Sequence, residues 1–233
     1  MNSTLVIIPT YNEAGNIVRI IEKIHQVAPD FSILVVDDNS SDGTATAVQE
    51  LMATDRRVNL MQRAGKLGLG TAYLAGFKWA LERDFEFVFE MDADFSHNPD
   101  HLPAFMEAAK DADLVLGSRY IPGGGVVNWS FIRRVISRGG GIYSRTILGL
   151  PYHDLTGGFK LFRRRTLEGI GLEKVFSEGY SFQIELTYRA HKKGFKIVET
   201  PIIFEERQEG ASKMSRKIFL EAVIRVWQLR FKV

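Results

Sequence analysis

An apolar run, Phe87-Val88-Phe89-Glu90-Met91, ends in Asp92-Ala93-Asp94. Two carboxylates one residue apart at the end of a buried strand point into the crevice beyond a sheet's carboxyl edge, where α/β folds bind ligands. That spacing suits a hard divalent cation, Mg²⁺ or Mn²⁺, holding a diphosphate. An acidic strand end that caps the next helix is the plainer use of such a triplet, so its meaning comes from its neighbours. Pro9-Thr10-Tyr11-Asn12-Glu13 follows the first apolar run, and Asp37-Asp38-Asn39-Ser40-Ser41-Asp42-Gly43-Thr44 follows Val35-Val36 in the second. Gly65-Lys66-Leu67-Gly68-Leu69-Gly70 adds a glycine-rich loop whose backbone permits close approach to a phosphate, though a solvated loop lysine is the commoner reading. No Gly-Lys-Ser/Thr phosphate loop is present.

Arginine forms the second group. Arg119 ends a short apolar run, Arg133, Arg134, Ser137 and Arg138 cluster in mid-chain, and Arg207 and Lys213 lie in the tail. Guanidinium forks match phosphate oxygens better than hydroxyls. An acceptor that is already an anionic phosphate needs positioning, whereas a sugar hydroxyl needs a general base. Asp154 is the candidate for that base; we expect it instead to orient an Arg or Lys. Asp38 is expected to contact ligand and Asp42 to cap a helix, with Asp37 open between the two. A solvated or membrane-facing helix surface is expected for Arg134, Arg138 and Arg145.

Strands alternate with helices in the first half. Thr4–Ile8, Phe31–Val36, Val58–Met61, 87–91 and Leu114–Leu116 read as strands. The stretches 17–27, Thr44–Met52, Ala72–Leu81 and about 101–109 read as helices. This alternation predicts an α/β fold with a mainly parallel central sheet covered on both faces. After Tyr120, Pro122-Gly123-Gly124-Gly125 and Gly139-Gly140-Gly141 flank a segment read as a helix with loose ends; Phe159–Phe162 and Ile197–Phe204 read as strands around a helix at Phe182–Lys192. One catalytic domain over 1–212 is expected, followed by a basic amphipathic helix over 213–233. In that helix Met214, Ile218, Phe219, Ala222, Val223, Val226 and Trp227 recur at helical spacing among basic residues. Such a helix either lies in a lipid headgroup region or packs on the domain; we place the membrane role first. Val126–Trp129 is a weaker candidate for the same role.

The bulk numbers narrow the classes. With 233 residues, 45% hydrophobic and 25% charged, the chain is of ordinary globular composition. It has no cysteine, hence neither disulfides nor thiolate metal sites. No secretory leader and no membrane-spanning run are expected. Net charge is +2, yet residues 207–233 carry +5 and the remainder −3, which points to an anionic surface or ligand near the C-terminus. Small overall charge and the lack of a recognisable motif argue against nucleic acid as a partner.

With these motifs in this order, the chain resembles the family 2 inverting glycosyltransferases of the GT-A fold. Gly117-Ser118-Arg119-Tyr120, Asp154-Leu155-Thr156-Gly157-Gly158-Phe159-Lys160 and Glu206-Arg207…Gly210-Ala211-Ser212-Lys213 make it similar to the dolichol-phosphate (polyprenol-phosphate) mannose synthase branch. The resemblance implies mannose transfer from GDP-mannose to dolichyl or polyprenyl phosphate, with Mg²⁺ or Mn²⁺, at the cytoplasmic face of a membrane. It implies a donor site at Pro9, Tyr11, Glu13, Val36, Asp38, Lys66, Asp92, Ala93, Asp94, Arg207 and Lys213. It implies metal ligands Asp92, Asp94 and Ser96, the last where relatives often carry Gln, and an acceptor-phosphate site at Arg119, Arg133 and Ser137. Asp94, Asp92 and Arg119 are the expected catalytic residues. A separate membrane subunit is compatible with the sequence. The alternatives are a UDP-glucose-dependent polyprenyl-phosphate glucosyltransferase, a family 2 enzyme acting on a saccharide hydroxyl, and a nucleotide-sugar binding protein without turnover.

Overall fold

Leu5, Val6, Ile7 and Ile8 are all fully buried in strand β1 (Thr4–Thr10), the mark of a parallel strand covered on both faces. The computed structural model describes residues 3–205 and 216–233, with side chains in the last segment from residue 223 onward. The other strands are β2 (Ser32–Asp37), β3 (Val58–Gln62), β4 (Phe87–Glu90), β5 (Leu114–Ser118), β6 (Gly125–Val127), β7 (Lys160–Arg163), β8 (Ile197–Pro201) and β9 (Ile203–Glu205). Seven of them form one sheet in the order β3-β2-β1-β4-β7-β5-β8, and β6 pairs with β9 in a small parallel ribbon. All pairs in the large sheet are parallel except those of β7, which runs against both β4 and β5.

Side-chain alternation along the strands sorts the core into two layers. Val6, Ile8, Ile33 and Val35 face helix α1 (Ile17–Val27), α2 (Thr44–Thr54) and α4 (Leu102–Ala108). Leu5, Ile7, Leu34 and Val36 face α3 (Leu69–Leu81). In α1 the periodic Ile17, Ile20, Ile21 and Ile24 are the buried ones, each worth about 1.5–3 kcal/mol of burial before ordering entropy is subtracted. The third core joins α5 (Phe131–Leu148), α7 (Gly179–Lys192) and α8 (Arg216–Lys232) through Leu148, Ile184, Tyr188, Val226 and Leu229. A short α6 (Arg164–Gly169) follows β7.

Three expectations need correction. The helix expected to loosen at Gly139-Gly140-Gly141 runs straight through it to Leu148, capped at its start by Ser130, whose Oγ accepts the Arg133 N–H at 3.3 Å. The run 197–204 is not one strand: it breaks at Ile202, so β8 closes the main sheet while β9 leaves it for β6. The α3 helix starts at Leu69, three residues early, inside the glycine-rich stretch.

Gly76 sets how closely α3 lies on β1, because a Cβ there would meet Ile7 Cγ2 at 2.7 Å. Gly76→Ala should therefore destabilise the fold by about 1–3 kcal/mol, read as a lower urea midpoint with an unchanged slope. An unaltered midpoint would mean that the two elements are not in this contact.

Candidate active site

β1 and β4 are neighbours in the sheet, although β2 and β3 intervene in the chain. The loops that follow β1 and β4 therefore part at a topological switch point, the place where open α/β sheets bind ligands. The loops after β1 and β2 are fastened to each other. Ser40 Oγ accepts the Asn12 N–H, Asn12 Oδ1 accepts the Ser41 N–H, Thr44 Oγ1 accepts the Glu13 N–H, and Asp42 Oδ2 accepts the Ala14 N–H, all at 2.9–3.1 Å. Asn12 and Asn39 adopt the left-handed conformation in these turns, which asparagine tolerates. Asp42 also accepts from the Thr44 N–H and hydroxyl at the start of α2, the capping role expected of it. Asp37 is fully buried and holds Thr10 Oγ1 and both the N–H and hydroxyl of Ser40, so its visible work is to brace the loop.

Asp38 reaches further. Arg63, at the end of β3, donates to its Oδ1 from Nε at 2.5 Å, and the Leu67 N–H donates to its Oδ2 at 3.1 Å. This ties the glycine-rich loop to β2, and the carboxylate keeps lone pairs for a ligand hydroxyl. Lys66 Nζ sits 3.8 Å over the half-exposed Tyr11 ring, so the first loop and the glycine-rich loop meet at these two side chains. Pro9 and Val36, one residue short of their strand ends, are register partners in the β1–β2 pair beneath them. Glu13 has its Oε2 on the Asn16 side-chain amide at 3.0 Å and its carbonyl on the first turn of α1.

Beyond β4, Asp92 and Asp94 are both partly exposed, while Ala93 between them is buried. Tyr73 of α3 donates its buried hydroxyl to Asp92 Oδ1 at 3.2 Å; burial, and then the negative charge of Asp92, push this phenol well above its ordinary value. The Asp92 N–H donates to His97 Nδ1 at 3.0 Å, which leaves the His97 proton on Nε2. Asp94 Oδ1 accepts the Ser96 N–H at 3.0 Å across Phe95, an aromatic residue held at φ +62. Such a conformation is costly for a bulky side chain and is a feature of ligand-binding loops. The Ser96 hydroxyl is buried and has no hydrogen-bond partner among the described residues. Two carboxylates and one unused hydroxyl make an all-oxygen donor set, which fits Mg²⁺ or Mn²⁺. Among the described residues no group of three or more His, Cys, Asp or Glu gathers to hold an ion; an ion bound here would draw further ligands from phosphate oxygens and water.

Under this edge lie two buried ionisable groups of opposite type. Glu90 and Lys160 are register partners across β4 and β7, both fully buried. Burial raises the Glu90 carboxyl and lowers the Lys160 ammonium, each opposed by the charge of the other. Lys160 Nζ donates to the Gln183 carbonyl at 2.6 Å and to Thr187 Oγ1 at 3.0 Å, which anchors α7 to the sheet.

The arginine side is equally built. Arg119, at the end of β5, is buried and grips Asp154 in a bidentate pair, Nε to Oδ2 at 2.6 Å and Nη2 to Oδ1 at 2.7 Å. Its Nη2 also donates to Thr156 Oγ1 at 2.9 Å. Burial alone would raise the Asp154 carboxyl, but the charge and hydrogen bonds of Arg119 outweigh it and hold the group below its ordinary value. Asp154 thus orients an arginine, as expected. Arg133 and Ser137 sit one turn apart on the inward side of α5, and Tyr120 donates its hydroxyl to Ser137 Oγ at 2.7 Å. The aromatic rings of Tyr120, Trp129 and Phe204 surround the Arg119 guanidinium at 5.3–5.4 Å. His97 stacks on Phe159 and meets Phe204 edge-on, which links the Asp92 loop to this cluster.

Arg207, Lys213 and Met214 lie outside the described residues. Sequence reasoning missed Arg63, Tyr73, His97 and the Glu90–Lys160 pair. Arg63 had a signal, since it follows a predicted strand on the same edge as the other motifs. Tyr73 and His97 had none beyond proximity to Asp92, because their partners are set by tertiary packing.

The model of the family described as Glycosyl transferase family 2 matches residues 5–171. A polyprenol monophosphomannose synthase from Mycolicibacterium smegmatis is 50% identical over 231 residues, covering 97% of this chain and 87% of that protein. An undecaprenyl-phosphate mannosyltransferase from Micrococcus luteus is 46% identical over 222 residues, covering 95% and 91%. Among solved structures, glucosyl-3-phosphoglycerate synthase from Mycobacterium tuberculosis in complex with Mn²⁺, UDP and glucosyl-3-phosphoglycerate superposes with a TM-score of 0.68 at 18% identity, covering 100% of this chain and 81% of that one. A mannosyltransferase from Pyrobaculum calidifontis in complex with GDP-Man and Mn²⁺ gives 0.61 at 18% identity, covering 98% and 70%. The mixed, mostly parallel sheet is the GT-A-like α/β fold, and the chain belongs to glycosyl transferase family 2.

Proposed function

We propose that the protein transfers mannose from GDP-mannose to the phosphate of a polyprenol, with inversion, giving a β-linked polyprenyl phosphate mannose. The observation that carries this reading is the Arg119–Asp154 pair. The carboxylate that could serve as a base is bound through both oxygens to a guanidinium, so the acceptor side offers cations and no free base at that position. An acceptor phosphate is its own nucleophile and requires only to be held in line with C1. Arg119, Arg133 and Ser137 hold it in this reading. Relatives of about half identity named for mannose transfer to prenyl phosphates favour mannose over glucose.

On the donor side, Tyr11 and Lys66 close over the diphosphate, Asp38 takes the ribose or base, and Glu13 lines the first loop; Arg207 and Lys213 complete the donor set. Arg63 holds Asp38 in place and Tyr73 holds Asp92. A divalent cation on Asp94, Asp92 and Ser96 would neutralise the leaving nucleotide. We further propose that the protein works at the cytoplasmic surface of a membrane. Among the described residues no helix is long and apolar enough to cross one. Phe131, Ile132, Val135 and Ile136 stand exposed on α5 beside the exposed Arg134 and Arg138, and Trp227 and Phe231 on α8. Apolar side chains among cations suit an anionic lipid surface.

Purified protein with Mg²⁺ should move mannose from GDP-mannose to a prenyl phosphate, and ready transfer to a free saccharide instead would defeat the reading. In that assay Asp94→Asn should lower turnover about 100-fold or more while the fold is kept. Asp154→Asn should cost about 3–5 kcal/mol in urea unfolding, since it strands a buried guanidinium. The native carboxyl is depressed, so the wild-type pair is fully stabilising above pH 3.8 and its contribution is lost as pH falls through the lowered native value; the variant should lack that acid dependence. Were Asp154 a base, kcat would collapse at every pH with stability unchanged. Finally, Phe131→Ser with Ile132→Ser should cut sedimentation with phosphatidylglycerol vesicles several-fold. Undiminished sedimentation would reject α5 as the lipid face. This is a cleaner probe than removing α8, whose Val226 and Leu229 fill a core.

A further inference from the structure

Trp129 lies between β6 and α5, and its contact with Arg119 is only part of its surroundings. Its ring is only 7% exposed and meets Phe204 edge-on, with centroids 5.4 Å apart. Two guanidinium groups share that ring: Arg119 Cζ is 5.4 Å and Arg133 Cζ 4.2 Å from its centroid. The two cations therefore lie within about 10 Å of each other, each attracted to the same aromatic ring. The indole adds a second, independent observation. Its Nε1–H is buried and has no acceptor among the described residues. An indole nitrogen can only donate, and a buried donor left unpaired is costly enough to call for a ligand or another explanation. Arg119, on the same ring, is already oriented by Asp154, and Arg133 is carried on the first turn of a helix whose dipole also favours an anion at that end.

We infer that Trp129 is a positioning residue for the acceptor phosphate. Its ring gathers Arg119 and Arg133 into one cradle, and its indole N–H becomes a further donor to a phosphate oxygen when the acceptor enters. No bond is made or broken by this residue. The inference deepens the reading of the acceptor as a prenyl phosphate and rests on it.

The test compares wild type, Trp129→Phe and Trp129→Leu in transfer from GDP-mannose to farnesyl phosphate, a short prenyl monophosphate that needs no membrane. Phenylalanine keeps a ring and removes the donor, so KM for farnesyl phosphate should rise about tenfold, with KM for GDP-mannose unchanged. Leucine removes the ring as well and should add about a further threefold. A second measurement leaves Trp129 native: in the Trp79→Phe/Trp227→Phe protein it is the sole tryptophan, and farnesyl phosphate should change its fluorescence with saturation at the acceptor's own dissociation constant. If wild type transfers to farnesyl phosphate while both Trp129 variants match it in acceptor KM and the emission stays constant, Trp129 has no such role. Equal losses in donor KM, acceptor KM and thermal stability would also overturn it, by showing a structural part only. If wild type binds and glycosylates no prenyl phosphate, the acceptor reading itself is wrong and this inference falls with it.

Discussion

Because β7 runs antiparallel between β4 and β5, the residues that precede it, from Asp154 to Phe159, arrive at the edge where those parallel strands end. A parallel strand in the same slot would have delivered its last residues there and sent Asp154 to the far side of the sheet. The reversal places Asp154 beside Arg119, Phe159 under His97, and Lys160 opposite Glu90. Gly117 and Gly157 make the approach feasible. A Cβ on Gly117 would stand 3.0 Å from the Phe159 carbonyl, and one on Gly157 would stand 3.1 Å from the Gly117 carbonyl. The charged groups of the site are thus fixed by backbone geometry before any ligand enters.

That geometry divides the site into two regions with different physics. The donor side is made of loops whose hydrogen bonds run to one another, with partly exposed carboxylates at their rim. The groups at that rim are acidic, so in the proposed reading a cation would have to screen them from a diphosphate. The arginine side is enclosed by aromatic rings and carries its counter-charge in the form of Asp154. One side presents carboxylates and the other guanidinium groups, and His97 with Phe204 forms the joint between them.

Much of the donor side was legible in the chain because its motifs directly follow apolar runs. When Ile8, Val36 and Met91 close such runs, the polar residues after them have one edge on which to emerge. The direction of β7 was not legible, since a four-residue apolar strand reads the same whichever way it runs. Nor was the partner of Asp92, because Tyr73 reaches it through packing of a distant segment. The glycine triplet in α5 misled for a related reason. Intrinsic propensity disfavours helix there, but Gly141, Ser144 and Leu148 are buried on the inward side, and tertiary contact outweighs propensity.

The triplet nevertheless leaves its trace. A Cβ at Gly139 or Gly140 would meet no atom within 4 Å, so no crowding demands glycine, and each forgoes about 1 kcal/mol of helix preference relative to alanine. The front of α5, with Arg133 and Ser137, is joined to its rear through a weak splice, while the rear is nailed down by Leu148. The rear of the rod is braced by a core that its exposed front does not share. In the proposed reading, a pull from the acceptor's isoprenoid tail would fall on the forward part and not on the sheet edge at Asp92 and Asp94.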